Sequence, residues 1–447
     1  MTDAPENRLT RDAESTTGRL REHPDRLAIA AELHARPFES LSPPLRATHL
    51  AMLGSDAEGD RAHVARLCSH QGQVAPGSTA THHSVDLGPF RLRWERHTEF
   101  STYTIFVAGS RKDGPFTDRA LDRVPPDWLD NMPGEMVVAV HLALEDPSAP
   151  ARDVQEVFRL FETENIAGSL VADDGAKLFT DFRLHSDGFG RVLIQIRDLP
   201  PRRTGRLVQR VLEIETYRLM ALLAFPLARQ ATGELTHLDE RLRNITDRMT
   251  RGSGLEGQQA LLTELSDLAG ELERISAQNT FRLSAARAYS SLVQHRIKNL
   301  RESRLPDLQT INEFMARRFS PAMQTCESVS VRQDALSERL SRAAELMRTR
   351  VDVALEAQNR DLLASMNRRT HLQLRLQQTV EGLSVVVISY YASSLLSYIF
   401  HSAEEAGLPI NATLTTGIAV PFVVTSVWVT MRVMRRRLLG KADIVDP

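Results

Sequence analysis

The chain has 447 residues, 42% of them hydrophobic and 25% charged, which excludes wholesale disorder and a membrane protein of many spans and makes two or three structural units the expectation. Two cysteines, Cys68 and Cys326, exclude a disulfide scaffold or a zinc site built from cysteine pairs, and 6% aromatic content is too little for a base-stacking surface. The net charge of −2 hides unequal halves: residues 1–200 carry 22 basic and 31 acidic side chains, whereas residues 201–447 carry 33 and 26. Duplex affinity rests on neutralising phosphates, so the acidic half is no DNA-binding domain and no nucleic-acid partner is expected. The basic excess lies beside apolar segments and fits anionic lipid headgroups.

Residues 1–20 read as a disordered tail, and Met1 to Arg21 lacks the apolar core of a signal peptide, so the main body is expected to stay where it is made. A short helix is predicted after Pro24, with Leu27, Ile29, Ala30 and Leu33 on its apolar side, ending before Pro37. The period then changes to two. Phe90 to Arg96 alternates apolar and charged residues, and Tyr103–Val107, Val137–Leu144, Leu178–Leu184 and Val192–Ile196 are further strands. Asp173-Asp174-Gly175 and Asp187-Gly188 mark tight turns between such runs. Helical patterns cover Asp60–Gln71 and Arg152–Glu164. The predicted head, residues 21–204, is an α+β cytoplasmic domain with a largely antiparallel sheet.

From Gly205 the apolar residues return at helical spacing, through Leu207, Val211, Ile214, Leu219 and Leu222 and then Leu235, Leu238, Leu242 and Ile245. A turn is expected over Arg251–Gly257, then helices over Gln258–Arg301 and Asp307–Gln378, the latter kinked at Pro321. Its stripe of Leu336, Leu340, Met347, Val351, Leu355, Leu362, Met366 and Leu376 is interrupted by Arg350, Asn359 and Arg369. That pattern disfavours a strict leucine zipper and predicts an antiparallel bundle or a coiled-coil, oligomeric stalk over residues 205–378.

Two runs follow that match the roughly 20 apolar residues a bilayer core requires of a helix. Val380 to Phe400 carries one charge, Glu381, and Leu408 to Met431 carries none. Pro421 falls mid-span, which membrane helices tolerate. Arg368, Arg369 and Arg375 precede the pair, Arg432, Arg435, Arg436, Arg437 and Lys441 follow it, and the segment His401–Ile410 between them has Glu404 and Glu405 but no cation. The positive-inside rule puts both flanks in the cytoplasm and the loop outside. The predicted layout is thus spans at 380–400 and 411–432, an outward loop at 401–410 and a basic cytoplasmic tail at 433–447. The plainer alternative is a buried helical hairpin.

Several segments resemble a bacterial family of membrane-anchored proteins, the domain-of-unknown-function family 3422: Glu32-Leu-His-Ala-Arg-Pro-Phe-Glu39, Trp94-Glu-Arg-His-Thr-Glu-Phe100, Gly168-Ser-Leu-Val-Ala-Asp-Asp174 and Gly382-Leu-Ser-Val-Val. The resemblance spans nearly the whole chain and implies the bacterial inner membrane. It implies no activity.

No phosphate loop, dinucleotide fingerprint, zinc-protease helix or nucleophile elbow is present, and no cofactor is expected. The most suggestive polar cluster combines His34, Arg36 and Glu39 with Glu95, His97 and Glu99. Alternate residues of a strand share a face, so the last three can converge. Such a set can ligate a metal, move protons or, through Arg36, hold an anion, or it can be an ion-pair network fixing helix to sheet. His295-Arg-Ile-Lys-Asn299 is similar to the phosphoacceptor box of histidine kinases, but nothing after it supplies a nucleotide-binding domain. In the first span Ser389, Ser393 and Ser397 form one row and Tyr390, Ser394 and Tyr398 another. This strip suits helix packing better than a conduction path, because no ionisable group lies mid-span.

The layout is similar in outline to the CorA magnesium transporter family, but the Gly-Met-Asn signature expected after the first span is replaced by Glu404-Glu-Ala-Gly-Leu-Pro-Ile-Asn411. The favoured reading is a non-enzymatic, homo-oligomeric inner-membrane scaffold or sensor whose cytoplasmic domain binds a partner or small effector. A CorA-like divalent-cation channel is the alternative, and a metal-dependent enzyme at His34, Glu39 and His97 is a third.

Overall fold

The computed structural model describes residues 23–26, 38–109, 114–149, 152–406 and 408–439. The predicted tail at 1–20, the helix through Leu27 and Leu33, and Lys441 lie outside the described residues. Among the described residues nine strands form one sheet: β1 (Leu45–Leu53), β2 (His82–Asp86), β3 (Arg91–Arg96), β4 (Phe100–Ala108), β5 (Glu135–Glu145), β6 (Ala167–Val171), β7 (Ala176–Thr180), β8 (Gly190–Ile196) and β9 (Ser303–Arg304). Their order is β2-β3-β4-β1-β5-β8-β7-β6-β9. Every neighbouring pair is antiparallel except β5 and β8, which run parallel from Val140↔Gly190 to Glu145↔Gln195.

The sheet is covered on both faces. On one side α1 (Ala57–His70), a 3-10 turn (Ala120–Arg123) and α2 (Pro126–Asp130) bury Val64, Leu67 and Trp128 against Leu50, Met52 and Tyr103. On the other, α4 (Pro201–Leu222) presses Leu207, Val208 and Val211 onto Leu45, Ala47, Ala51 and Leu142. A third cluster gathers α3 (Val154–Phe161) with Phe179 and Leu193. The Asp173-Asp174-Gly175 turn joins β6 to β7 with Ala172, Asp173 and Asp174 all at positive φ. The strand expected over Leu178–Leu184 stops at Thr180, because Phe182 takes a φ of 55° and leaves the extended region.

Four long helices follow: α4, then α5 (Ala224–Thr250), α6 (Leu255–Leu300) and α7 (Ile311–Glu405), with α8 (Ala412–Leu439) last. Arg241–Glu271 and Arg248–Glu264 pair across α5 and α6, and Arg287–Glu327 pairs α6 with α7, the register of antiparallel neighbours. Two compact units result. One comprises the residues up to Thr250 with Thr263–Ala343; the other comprises Arg251–Leu262 with the residues from Ala344 on.

The predicted stalk and the first apolar run lie on one helix, since α7 runs through Pro321 and on past residue 380. The apolar stripe is buried only as far as Val351; Leu355, Leu362, Met366 and Leu376 are exposed. The start of α7 is held by side chains. Glu302 accepts from the backbone N–H groups of Ile311 (3.0 Å) and Asn312 (2.9 Å), while Thr310 and Glu313 cap each other reciprocally.

Candidate functional site: a polar cavity between the sheet and helix α4

Between β1, β3 and β4 on one side and α4 on the other lies a cavity of about 310 Å³, in the range of small-ligand sites. Its floor exists because of Gly205. A Cβ there would sit 1.7 Å from the carbonyl oxygen of Glu39, so only glycine lets the strap before β1 pass over α4.

The wall is polar and internally paired. Arg93 donates to Glu95 at 2.7 Å and reaches Gln209 at 3.4 Å; Gln209 donates to Glu213 at 2.9 Å, and Arg296 from α6 closes on the same carboxylate. Glu39 accepts from Ser84 at 2.6 Å and forms an ion pair with Arg91 at 3.2 Å. His49 sits beneath, 5% exposed. The Thr216 hydroxyl is spent on the Leu212 carbonyl at 2.8 Å, so its oxygen accepts from Nε2–H of His49 at 3.0 Å. Nδ1 therefore accepts from Thr104 at 2.8 Å, which defines a neutral tautomer. Burial, helped by the nearby Arg93 charge, pushes the His49 pKa down to about 3.

Arg210 differs from the other wall cations. It donates to the Asn299 carbonyl at 3.0 Å, and among the described residues no carboxylate lies within ion-pair distance. Burial and the positive charges of Arg206 and Arg296 lower its pKa.

Of the sequence-predicted cluster, Glu39, Glu95 and His97 meet at this cavity, while His34 and Arg36 lie outside the described residues. The expected alternation does not reach Glu99, because β3 ends at Arg96 and the chain turns before β4. Glu99 instead accepts from Arg282 at 2.7 Å and Tyr289 at 2.6 Å; burial and that carboxylate raise the Tyr289 pKa. His97 stacks on Phe100 with ring centroids 4.4 Å apart. Among the described residues no three His, Cys, Asp or Glu side chains gather as a metal site. In the box His295–Asn299, His295 is exposed, while Arg296 and the Asn299 carbonyl serve the cavity wall. Sequence reasoning missed His49, Arg93, Gln209, Arg210, Glu213 and Thr216, which converge only through the sheet-to-α4 packing.

In the second unit, α7 and α8 each contain a stretch long and apolar enough to cross a membrane, by length and composition. Ser389 is buried, Ser393, Ser394 and Ser397 are half-buried, and Tyr390 and Tyr398 are exposed, so the two predicted rows face different surroundings. On α8 the half-buried positions Thr415, Ala419, Val423, Val427 and Met431 repeat every four residues, as for a helix packed along one face. The turn between them is tied by the Ala412 N–H, which donates to Glu404 at 3.3 Å.

A sequence family described as proteins of unknown function, DUF3422, matches the chain over residues 21–438. No curated protein and no solved structure matches it.

Proposed function

The chain belongs to the DUF3422 family of proteins of unknown function, and from that premise we propose that it is a membrane-anchored, non-enzymatic sensor or scaffold whose cytoplasmic head binds a small effector in the cavity against α4. The observation that carries the reading is the continuity of α7, which begins in the core of the α+β unit at Ile311, Phe314 and Met315 and runs on, unbroken, into an apolar stretch of bilayer length. A non-catalytic head is supported by the cavity wall: each of its carboxylates already has a cationic or hydroxyl partner, and both ring nitrogens of His49 are engaged. Arginines flanking the apolar pair and none between them support the bacterial inner membrane with both chain ends cytoplasmic. The exposed Leu355, Leu362, Met366 and Leu376 on α7 support self-association of copies inserted in the same direction.

Fractionation tests the anchor. The full chain is expected in the membrane pellet after alkaline carbonate washing, and a chain ending at residue 378 in the supernatant. Full chain in the supernatant overturns the reading. Magnesium flux into liposomes holding the full chain, abolished by Ser393→Leu, puts a cation channel in its place.

A further inference from the structure

The cavity carries a more specific assignment, which rests on the effector-binding reading above. We propose that it is a site for a small organic monocarboxylate, its charged head held by Arg210, with the positive charge of Arg206 one turn away on α4, and its body lying along the apolar wall of Val208, Leu212 and Phe106. The first argument is electrostatic placement. Arg206 and Arg210 stand one turn apart on α4, where like charges at four-residue spacing repel. Arg202 continues the row toward the N-terminal end of the helix, whose first turn has no acidic residue. A helix N-terminus is its positive end, so of this row Arg202, in the first turn, sits where the backbone already disfavours a cation. Among the described residues neither Arg206 nor Arg210 has a carboxylate at ion-pair distance; Arg206 lies over the Phe38 ring, 5.7 Å from its centroid.

The second argument is the cavity itself. Arg210, Phe38, Val208, Leu212 and Phe106 all line it, so the residue whose guanidinium lacks an anion belongs to the cavity wall. The Asn299 carbonyl takes one Nη1 hydrogen of Arg210 at 3.0 Å and steadies the group, leaving other donors of the planar fork for a carboxylate. The neighbouring carboxylates limit the charge. Glu39, Glu95 and Glu213 share the wall, and a dianion would meet their repulsion without a second unpaired guanidinium inside the cavity to offset it. The volume of about 310 Å³ sets the size at the small end of ligand sites.

The test uses the full chain in detergent, with benzoate as probe and benzylamine and inorganic phosphate as contrasts, read by isothermal titration. Benzoate is expected to bind saturably, one per chain, with phosphate at least tenfold weaker and benzylamine not at all. Arg210→Gln is expected to weaken benzoate at least tenfold and Arg206→Gln at least threefold. Both arginines are half-buried, and an unchanged unfolding midpoint in each variant separates lost binding from lost folding. Arg210→Lys is expected to recover part of the loss. Equal binding of benzoate and benzylamine, preference for phosphate, or unchanged affinity in both glutamine variants overturns the assignment. A different small molecule retained in native mass spectra and lost on Gln209→Trp overturns the carboxylate while leaving the effector reading standing. Absence of any bound or binding molecule overturns both.

Discussion

A methyl group on Gly205 would lie 1.7 Å from the Glu39 carbonyl oxygen, and that oxygen is backbone, with no rotamer to yield. Gly205→Ala must therefore lift the strap off α4. The expected cost is about 2–3 kcal/mol, the upper part of the overpacking range, and urea unfolding of the solubilised chain measures it. Three buried histidines set a pH dependence. Burial holds His49 at about 3 and His63 and His141 at about 4, all below the ordinary 6.5. Between about pH 6.5 and 4.5 the unfolded chain then binds more protons than the folded one, so stability falls as pH falls through that window. Each such histidine contributes up to about 1.4 kcal/mol per pH unit, and His49→Gln is expected to make the slope shallower by one proton. Little of this was legible in the sequence. Glu39, Glu95 and His97 stood out because charged residues flank a clear strand, whereas Arg210 and Thr216 belong to an ordinary amphipathic helix until the sheet is laid against it.

Strands were legible where one face is polar or the run is almost wholly apolar. β3 alternates and β5 and β8 are nearly continuous apolar runs, and all three were found; β1 was not, because LRATHLAML is buried on both faces yet carries Arg, Thr and His whose polar groups are satisfied inside. Its Arg46 pairs with Asp118, Thr48 meets His141 at 3.0 Å, and His49 is held by Thr104 and Thr216. A strand covered by helices on both sides loses the period that would announce it. β9, two residues long, escaped for want of length. Helix α7 shows the converse, since its apolar spacing was plain but its start was not. That start depends on Glu302, which accepts from two N–H groups of the first turn and from the Ser169 hydroxyl on β6 at 2.8 Å. Glu302→Ala is expected to cost about 1–2 kcal/mol and to speed amide exchange at Ile311 and Asn312, with Val329 and Leu336 further along the helix unchanged.

At the scale of the whole molecule, the two C-terminal apolar runs were the easiest to read, because stretches of bilayer length with a single charge, Glu381, at the start of the first need no knowledge of the fold. The joining of the second run of helices to the sheet was not readable, since it depends on two residues. Ser303 and Arg304, from the connection between α6 and α7, pair with Leu170 and Ser169 and cover the outer side of β6. The Gly168 N–H donates to the Gln309 carbonyl at 2.9 Å and the Ala172 N–H to Leu300 at 2.8 Å, so the stitch runs the length of that strand. During synthesis, β6 waits unprotected while the hundred-odd residues that separate it from its partner are made. Its bare N–H and C=O groups are an invitation to other nascent chains for that whole interval. Only once the Ser303–Gln309 stretch has emerged can the head seal itself, shortly before the greasy C-terminal segments follow it out of the ribosome.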